Sequence, residues 1–264
     1  MADGTSIVFN ELAPLVLLAG FFLLVGAAVA MVAFVCRQSR LRLRGPGAGQ
    51  AILDSPPWSS DRSVWQPFFD GSFRWLAVRC QDSVEVQTAL RLRNPRLCSW
   101  EEGLHRAMDH RLFISPPMNG WILVMGADLP DPSEDADACF HLISRLSRVL
   151  GEVQFFSINR MFNHHAWALA DAGRVRRGYA WAGQTVWNQG VPTQVELALR
   201  LPTYDYCELP QRAFLSYSDP LGTATEKVTA LAARWSVDPT TVDFRRLRGN
   251  PGISGKFSFR SSPH

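Results

Sequence analysis

At 264 residues and 47% hydrophobic content the chain is long enough and apolar enough to bury a sizeable core, which excludes a disordered polymer. Its 19 Gly, 17 Pro and 5 Cys are ordinary for this length and exclude collagen-like and disulfide-scaffold classes. The formal net charge of +3, from 27 Lys and Arg against 24 Asp and Glu, is too small to be the footprint of a nucleic-acid-binding protein.

Where the charges lie says more than their sum. Residues 12–36 contain no charged side chain, and residues 15–35 are Leu, Val, Ala, Phe, Gly and Met. About 20 such residues at 1.5 Å of rise span the ~30 Å hydrocarbon core, so residues 13–36 are expected to form a single transmembrane helix. A cleaved signal peptide fits less well, because the first ten residues carry Asp3 and no basic side chain. Arg37, Arg40, Arg42 and Arg44 follow at once, and arginines beside a membrane helix stay on the cytoplasmic side. Residues 1–12 are therefore expected outside, the bulk of the chain in the cytosol, and the four arginines at the membrane surface, facing anionic headgroups. The odd, irregularly spaced set Cys36, Cys80, Cys98, Cys139 and Cys207 suits reduced cytosolic thiols. Gly26, Ala30 and Ala33 share one helical face and would admit a second helix.

Residues 37–64 read as a basic juxtamembrane segment and linker, with Gly45-Pro46-Gly47, Gly49, Pro56-Pro57 and several serines. A globular domain is expected over residues 65–247. Within it, residues 74–79 predict a strand and residues 83–92 a helix stopped by Asn94-Pro95. Ser99-Trp100-Glu101-Glu102 matches a capping box and predicts a helix to about Asp109. Strands are predicted at 112–115 and 121–125. Residues 134–150 place Cys139, Ile143, Leu146 and Leu150 on one helical face, with Gly151 set to end the helix.

Residues 153–158 form an apolar run suited to a central strand. Residues 165–170 and 175–181 about Ala172-Gly173 predict a hairpin. Thr193-Gln194-Val195-Glu196 and Thr223-Ala224-Thr225-Glu226 are two further capping boxes, the second before Val228, Leu231, Ala232 and Trp235. Residues 248–264, with Arg248, Gly249, Pro251, Gly252, Gly255, Lys256 and Arg260, are expected to be a flexible basic tail. The strands and helices lack strict βαβ alternation. The expected fold is α+β: an N-terminal transmembrane helix, then one globular domain with a mostly antiparallel sheet and several flanking helices.

No Walker P-loop, dinucleotide-binding G-x-G-x-x-G, G-x-S-x-G, H-E-x-x-H or C-x-x-C occurs, which removes the easily recognised nucleotide, hydrolase, zincin and redox classes. The densest polar and aromatic stretch runs from Asn159 through Asn188. If Ala172-Gly173 is a two-residue turn, the register puts His164 beside Trp181, Ala166 beside Tyr179 and Ala168 beside Arg177. Arg160, His164, Arg177, Tyr179 and Trp181 are thus the candidate ligand or partner site, since imidazole, guanidinium and aromatic edges suit an anionic or planar group. The competing reading, a packed sheet face with hydrogen-bonded polar tips, is preferred.

Metal binding is not expected. His164 and His165 point to opposite strand faces, and Cys139 and His141 diverge on a helix. Glu101, His105 and Asp109 share a helix face but read better as a solvated stripe. The acids Asp128, Asp131, Glu134, Asp135 and Asp137 lack the calcium-loop pattern and suit the first turn of a helix. No catalytic residue, metal or cofactor is assigned.

Cys98-Ser99-Trp100-Glu101-Glu102-Gly103-Leu104, Phe113-Ile114-Ser115-Pro116-Pro117 with Gly120-Trp121, Val153-Gln154-Phe155-Phe156, His164-His165-Ala166-Trp167, Tyr179-Ala180-Trp181-Ala182-Gly183 and Trp187-Asn188-Gln189-Gly190 resemble a group of uncharacterised bacterial proteins. The resemblance covers about residues 73–208. It implies a bacterial origin, hence an inner (plasma) membrane location, and a shared fold, but neither an activity nor functional residues.

The expected function is that of a single-pass membrane protein whose cytosolic domain binds a protein partner or small ligand without catalysis. Two alternatives stand beside it. One is a membrane-anchored enzyme, such as a hydrolase, using the His164, Arg177 and Tyr179 region. The other is an accessory subunit of a membrane complex, in contact through its helix. The expected partners are the lipid bilayer and a membrane or cytosolic protein, not a nucleic acid.

Overall fold

The computed structural model describes residues 71–206, 220–243, 247 and 249–258, all within the compact unit Arg62–His264. In chain order they form β1 (Ser72–Val78), α1 (Ser83–Leu90), β2 (Arg93–Cys98), α2 (Trp100–Met108), β3 (Leu112–Ile114), β4 (Ile122–Met125), α3 (Ala136–Leu150), β5 (Val153–Asn159), β6 (His164–Asp171), β7 (Arg174–Trp181), β8 (Thr185–Gln189), α4 (Gln194–Ala198), α5 (Pro220–Trp235), a 3-10 turn (Pro239–Thr241) and β9 (Gly252–Lys256). The strands make one sheet in the order β2-β9-β3-β4-β1-β5-β6-β7-β8. Every neighbouring pair is antiparallel.

The central strand explains the architecture. In Ser-Phe-Arg-Trp-Leu-Ala-Val, Phe73, Trp75 and Ala77 alternate with Leu76 and Val78, and all five are buried. An antiparallel strand apolar on both faces needs cover on both. Leu76, Val78 and Phe155 pack into one layer with Cys139, Leu142 and Ile143 of α3 and with Val86 of α1. Trp75, Phe156 and Trp167 pack into the opposite layer with Leu104 of α2 and with Val228 and Leu231 of α5. The rings of Phe73, Trp75 and Phe156 stack in series at 4.9 and 5.0 Å, tying β1 to its neighbour β5 on the α5 side.

Helix ends follow their sequence signals. Ser99 Oγ accepts from the Glu102 amide to start α2. Asp135 caps α3 by accepting from the Ala138 amide, and Gly151 closes that helix at φ 81°. At α4 both halves of the capping box form, Glu196 N–H to Thr193 Oγ1 at 3.3 Å and Thr193 N–H to Glu196 Oε2 at 2.8 Å.

Four expectations are corrected. The expected architecture of a membrane helix followed by a globular domain reduces to the α+β domain itself. Among the described residues no helix is long and apolar enough to cross a membrane. The longest, α5, has 16 residues, about 24 Å against the ~30 Å required. Residues 13–36, Arg37, Arg40, Arg42 and Arg44, and the linker to residue 64 lie outside the described residues. Second, the expected tail contributes β9, inserted between β2 and β3. Third, α5 already begins at Pro220, so Thr223 lies inside the helix and not at its cap. Fourth, Asn94-Pro95 sits within edge strand β2, where the register shifts between Arg93 and Arg96. Proline is tolerated there because an edge strand need not offer every N–H. Helix α1 ends before it, at Arg91 with φ 54°.

Candidate functional site

The β6–β7 hairpin carries most of the predicted site residues, and its register differs from the expected one. At the turn Asp171 pairs with Arg174 and Ala170 with Val175, as a two-residue turn requires. Beyond Val175 the strand β7 accommodates one extra residue, Arg176, so Leu169 pairs with Arg177, Trp167 with Tyr179 and His165 with Trp181. One inserted residue moves every later side chain to the other neighbour set. Arg177, Tyr179 and Trp181 therefore share a face with His165 and Trp167, not with His164, Ala166 and Ala168. His164 is directed to the α3 side and cannot converge with Arg177 and Tyr179.

Arg177 lies at the centre of this face, beneath α4. Its Nε–H donates to Glu196 Oε1 at 2.8 Å, and each side chain is only 1% exposed. Its Nη1 donates to Asn188 Oδ1 at 2.8 Å and to the carbonyls of Gly178, Gln189 and Gly190 at 3.1–3.3 Å. Glu196 Oε1 also accepts from Trp167 Nε1 at 2.8 Å. The guanidinium carbon stands 5.7 Å from the centroid of the Tyr179 ring. The Arg177 Nη2 group is buried without a partner. A charged pair removed from water in this way is tolerable only because nearly every polar atom is bonded.

Tyr179 and Trp181 are covered by the chain that follows α4. The Tyr204 amide donates to Tyr179 Oη at 3.2 Å, and the rings of Trp181 and Tyr204 lie 5.2 Å apart. Thr185 Oγ1 donates to the Tyr204 carbonyl at 2.9 Å. Burial, the largest influence, pushes the Tyr179 phenol above its ordinary value.

His165 was missed as a member of this face. It is buried, its ring lies parallel to Trp167 at 5.9 Å, and its Nδ1 is 3.3 Å from Thr225 Oγ1 of α5. Thr225 Oγ1 also donates to Asn163 Oδ1 at 2.7 Å, and the His165 Nε2 is buried with no hydrogen-bond partner. Burial pulls its pKa down to about 4. Glu196 was seen in the sequence only as a capping glutamate. Neither residue carries a local signal for its long-range role.

The fifth predicted residue, Arg160, is exposed on the β5–β6 turn. Beside it Met161 is 82% and Phe162 63% exposed. The turn is held by the Phe162 amide, which donates to Asn159 Oδ1 at 3.3 Å, by Asn163 at φ 55° and by the Asn163–Thr225 bond to α5. The Phe162 ring rests 5.6 Å from that of His164.

Among the described residues no three His, Cys, Asp or Glu side chains gather as metal ligands would. The buried thiol of Cys98 is pushed up to about 11, and that of Cys139 is raised further, both chiefly by desolvation. Such thiols stay protonated near neutrality and are poor nucleophiles. Comparison of the chain with protein-family models, curated proteins and solved structures gives no match.

Proposed function

We propose that this chain presents a non-catalytic binding domain that engages a protein partner through the β5–β6 turn, with Met161 and Phe162 as apolar anchors and Arg160 beside them. The observation that carries the reading is the exposure of two large apolar side chains, 82% and 63%, on a turn pinned at both ends. Met, aromatic residues and Arg are the types enriched in protein interfaces, and a turn fixed in advance loses little entropy on docking. The polar groups that acid–base chemistry would use favour the same reading. Arg177, Glu196 and His165 are directed at α4, β8 and α5, and each is all but fully buried.

The test compares the full chain with the double variant Met161→Ser/Phe162→Ser by native mass spectrometry after gentle extraction from the source cells. A stoichiometric protein partner held by the wild type and lost by the variant, at an unchanged urea midpoint, is expected. A partner retained by the variant, or a wild type carrying only a small molecule, defeats the proposal.

A further inference from the structure

Strands β2 and β9 meet in a register that sets two cations face to face. Arg93 stands directly opposite Lys256, and Arg96 opposite Ser254. The extra residue in β2 between the two arginines returns both to one face, the one that carries Cys98 and Phe113 beneath α2. On the other side of β9, Leu112 pairs with Gly255 and Phe113 with Ser254, so Arg111 falls beside Lys256 on that same face. Three cationic side chains thus stand abreast on chain segments about 4.8 Å apart.

Like charges set directly across a ladder repel, and no nearby acid answers these. Among the described residues Arg93, Arg96, Arg111 and Lys256 have neither an ion pair nor a side-chain hydrogen bond. Glu102 of α2 is taken by Arg106, and Asp109, exposed at the end of that helix, bridges to none of the four. Two donors on this face, Arg111 Nη1 and Ser254 Oγ, are buried without a partner. The cluster is rich in donors and short of acceptors, since only the serine hydroxyl among its side chains can accept.

We propose that this face of β2 and β9 is a binding site for the phosphate group of a small soluble ligand, held by Arg93, Arg111 and Lys256. An oxyanion supplies what the cluster lacks, negative charge between the cations and acceptors for two guanidinium forks and an ammonium. Phosphate suits the site better than a carboxylate, because a monoester brings about two charges and three acceptor oxygens to three cations. Arg111 Nη1, out of reach of water, gains the acceptor it lacks. This inference is independent of the β5–β6 turn, which belongs to other strands.

Isothermal titration of pyrophosphate into the full chain tests the site. Saturable binding is expected, weakened at least about tenfold by Lys256→Gln and by Arg93→Gln, the loss of one charge-assisted bond in each case. Arg174→Gln, which removes an exposed arginine at the β6–β7 turn, should leave the affinity unchanged. Without pyrophosphate, Lys256→Gln should unfold at a urea concentration no lower than the wild type, because it relieves the repulsion from Arg93. A wild type that shows no saturable binding overturns the proposal. So does an Arg174→Gln variant that loses as much affinity as Lys256→Gln, which would reduce the effect to overall charge. A urea midpoint lowered by Lys256→Gln would make the lysine a structural residue and equally defeat the assignment. Binding to phosphatidylglycerol vesicles in place of pyrophosphate would give the face to a membrane surface, against the soluble ligand proposed.

Discussion

Arg177 and Glu196 meet at 2.8 Å across the interface between β7 and α4, and solvent reaches 1% of either side chain. Among the described residues this is the ion pair that water screens least, the pairs Arg74–Asp131, Arg79–Glu152, Arg106–Glu102, His110–Asp128 and Arg176–Asp171 each having a side chain at least 18% exposed. Its geometry separates two quantities that are easily confused, the net worth of the pair and the cost of breaking it.

Glu196→Gln should cost about 3–5 kcal/mol, because it strands a buried guanidinium while leaving an acceptor for Trp167 Nε1. Arg177→Met in the same chain should recover much of that loss, since an apolar side chain has no charge to desolvate. Urea unfolding of the wild type, both single variants and the double variant provides the cycle. Losses that simply add in the double variant would show that the two side chains do not act as a unit.

His165 gives the domain an acid-sensitive stability with a defined sign. Its folded pKa, about 4, lies below the ordinary 6.5, chiefly because burial against Trp167, Tyr179 and Thr225 disfavours the imidazolium. Above pH 6.5 both folded and unfolded chains hold the ring neutral, and this residue adds no pH dependence. Between about 6.5 and 4 only the unfolded chain takes up the proton. Stability should fall as pH drops through that window, with a slope approaching about 1.4 kcal/mol per pH unit. The check is the difference in slope between wild type and His165→Phe, measured from urea midpoints at several pH values. The variant loses the Thr225 contact and is less stable throughout, so only the slope is compared. Parallel profiles would rule out His165 as the source.

The uneven legibility of this fold in its sequence has identifiable physical causes. Helix α3 and strands β1 and β5 could be read because their apolar residues repeat at 3.6 or form runs flanked by caps. The hairpin β6–β7 could be located from Ala172-Gly173, but its extra residue, Arg176, carries no marker. The register slipped, and His164 took the place that belongs to His165. Strand β9 was hidden because Gly-Ile-Ser-Gly-Lys looks like coil. Its glycines are there for packing: a Cβ at Gly252 would overlap the Phe113 ring and the Ile114 carbonyl of β3. The role of Glu196 could not be read at all, since an acid at the third position of a helix is fully explained by its cap. What joins it to Arg177 is tertiary.

Gly178 offers a last test of how closely β7 and β8 approach. A Cβ built there would fall 2.5 Å from Cε2 and Cζ2 of Trp187, a distance no carbon contact tolerates. The indole is itself buried and donates from Nε1 to Gln189 Oε1 at 3.2 Å, so it cannot swing freely away. Gly178→Ala should therefore destabilise the domain by about 1–3 kcal/mol through overpacking, although alanine normally suits a strand better than glycine. Gly178→Ala/Trp187→Phe should be more stable than the two separate losses predict, because the smaller ring vacates the space the methyl needs. Thermal and urea unfolding of the four proteins supply the comparison. A Gly178→Ala variant within about 0.5 kcal/mol of wild type would mean that the indole and the strand are not in this contact in solution, and the collar of carbonyls around Arg177 Nη1 would have to be redrawn.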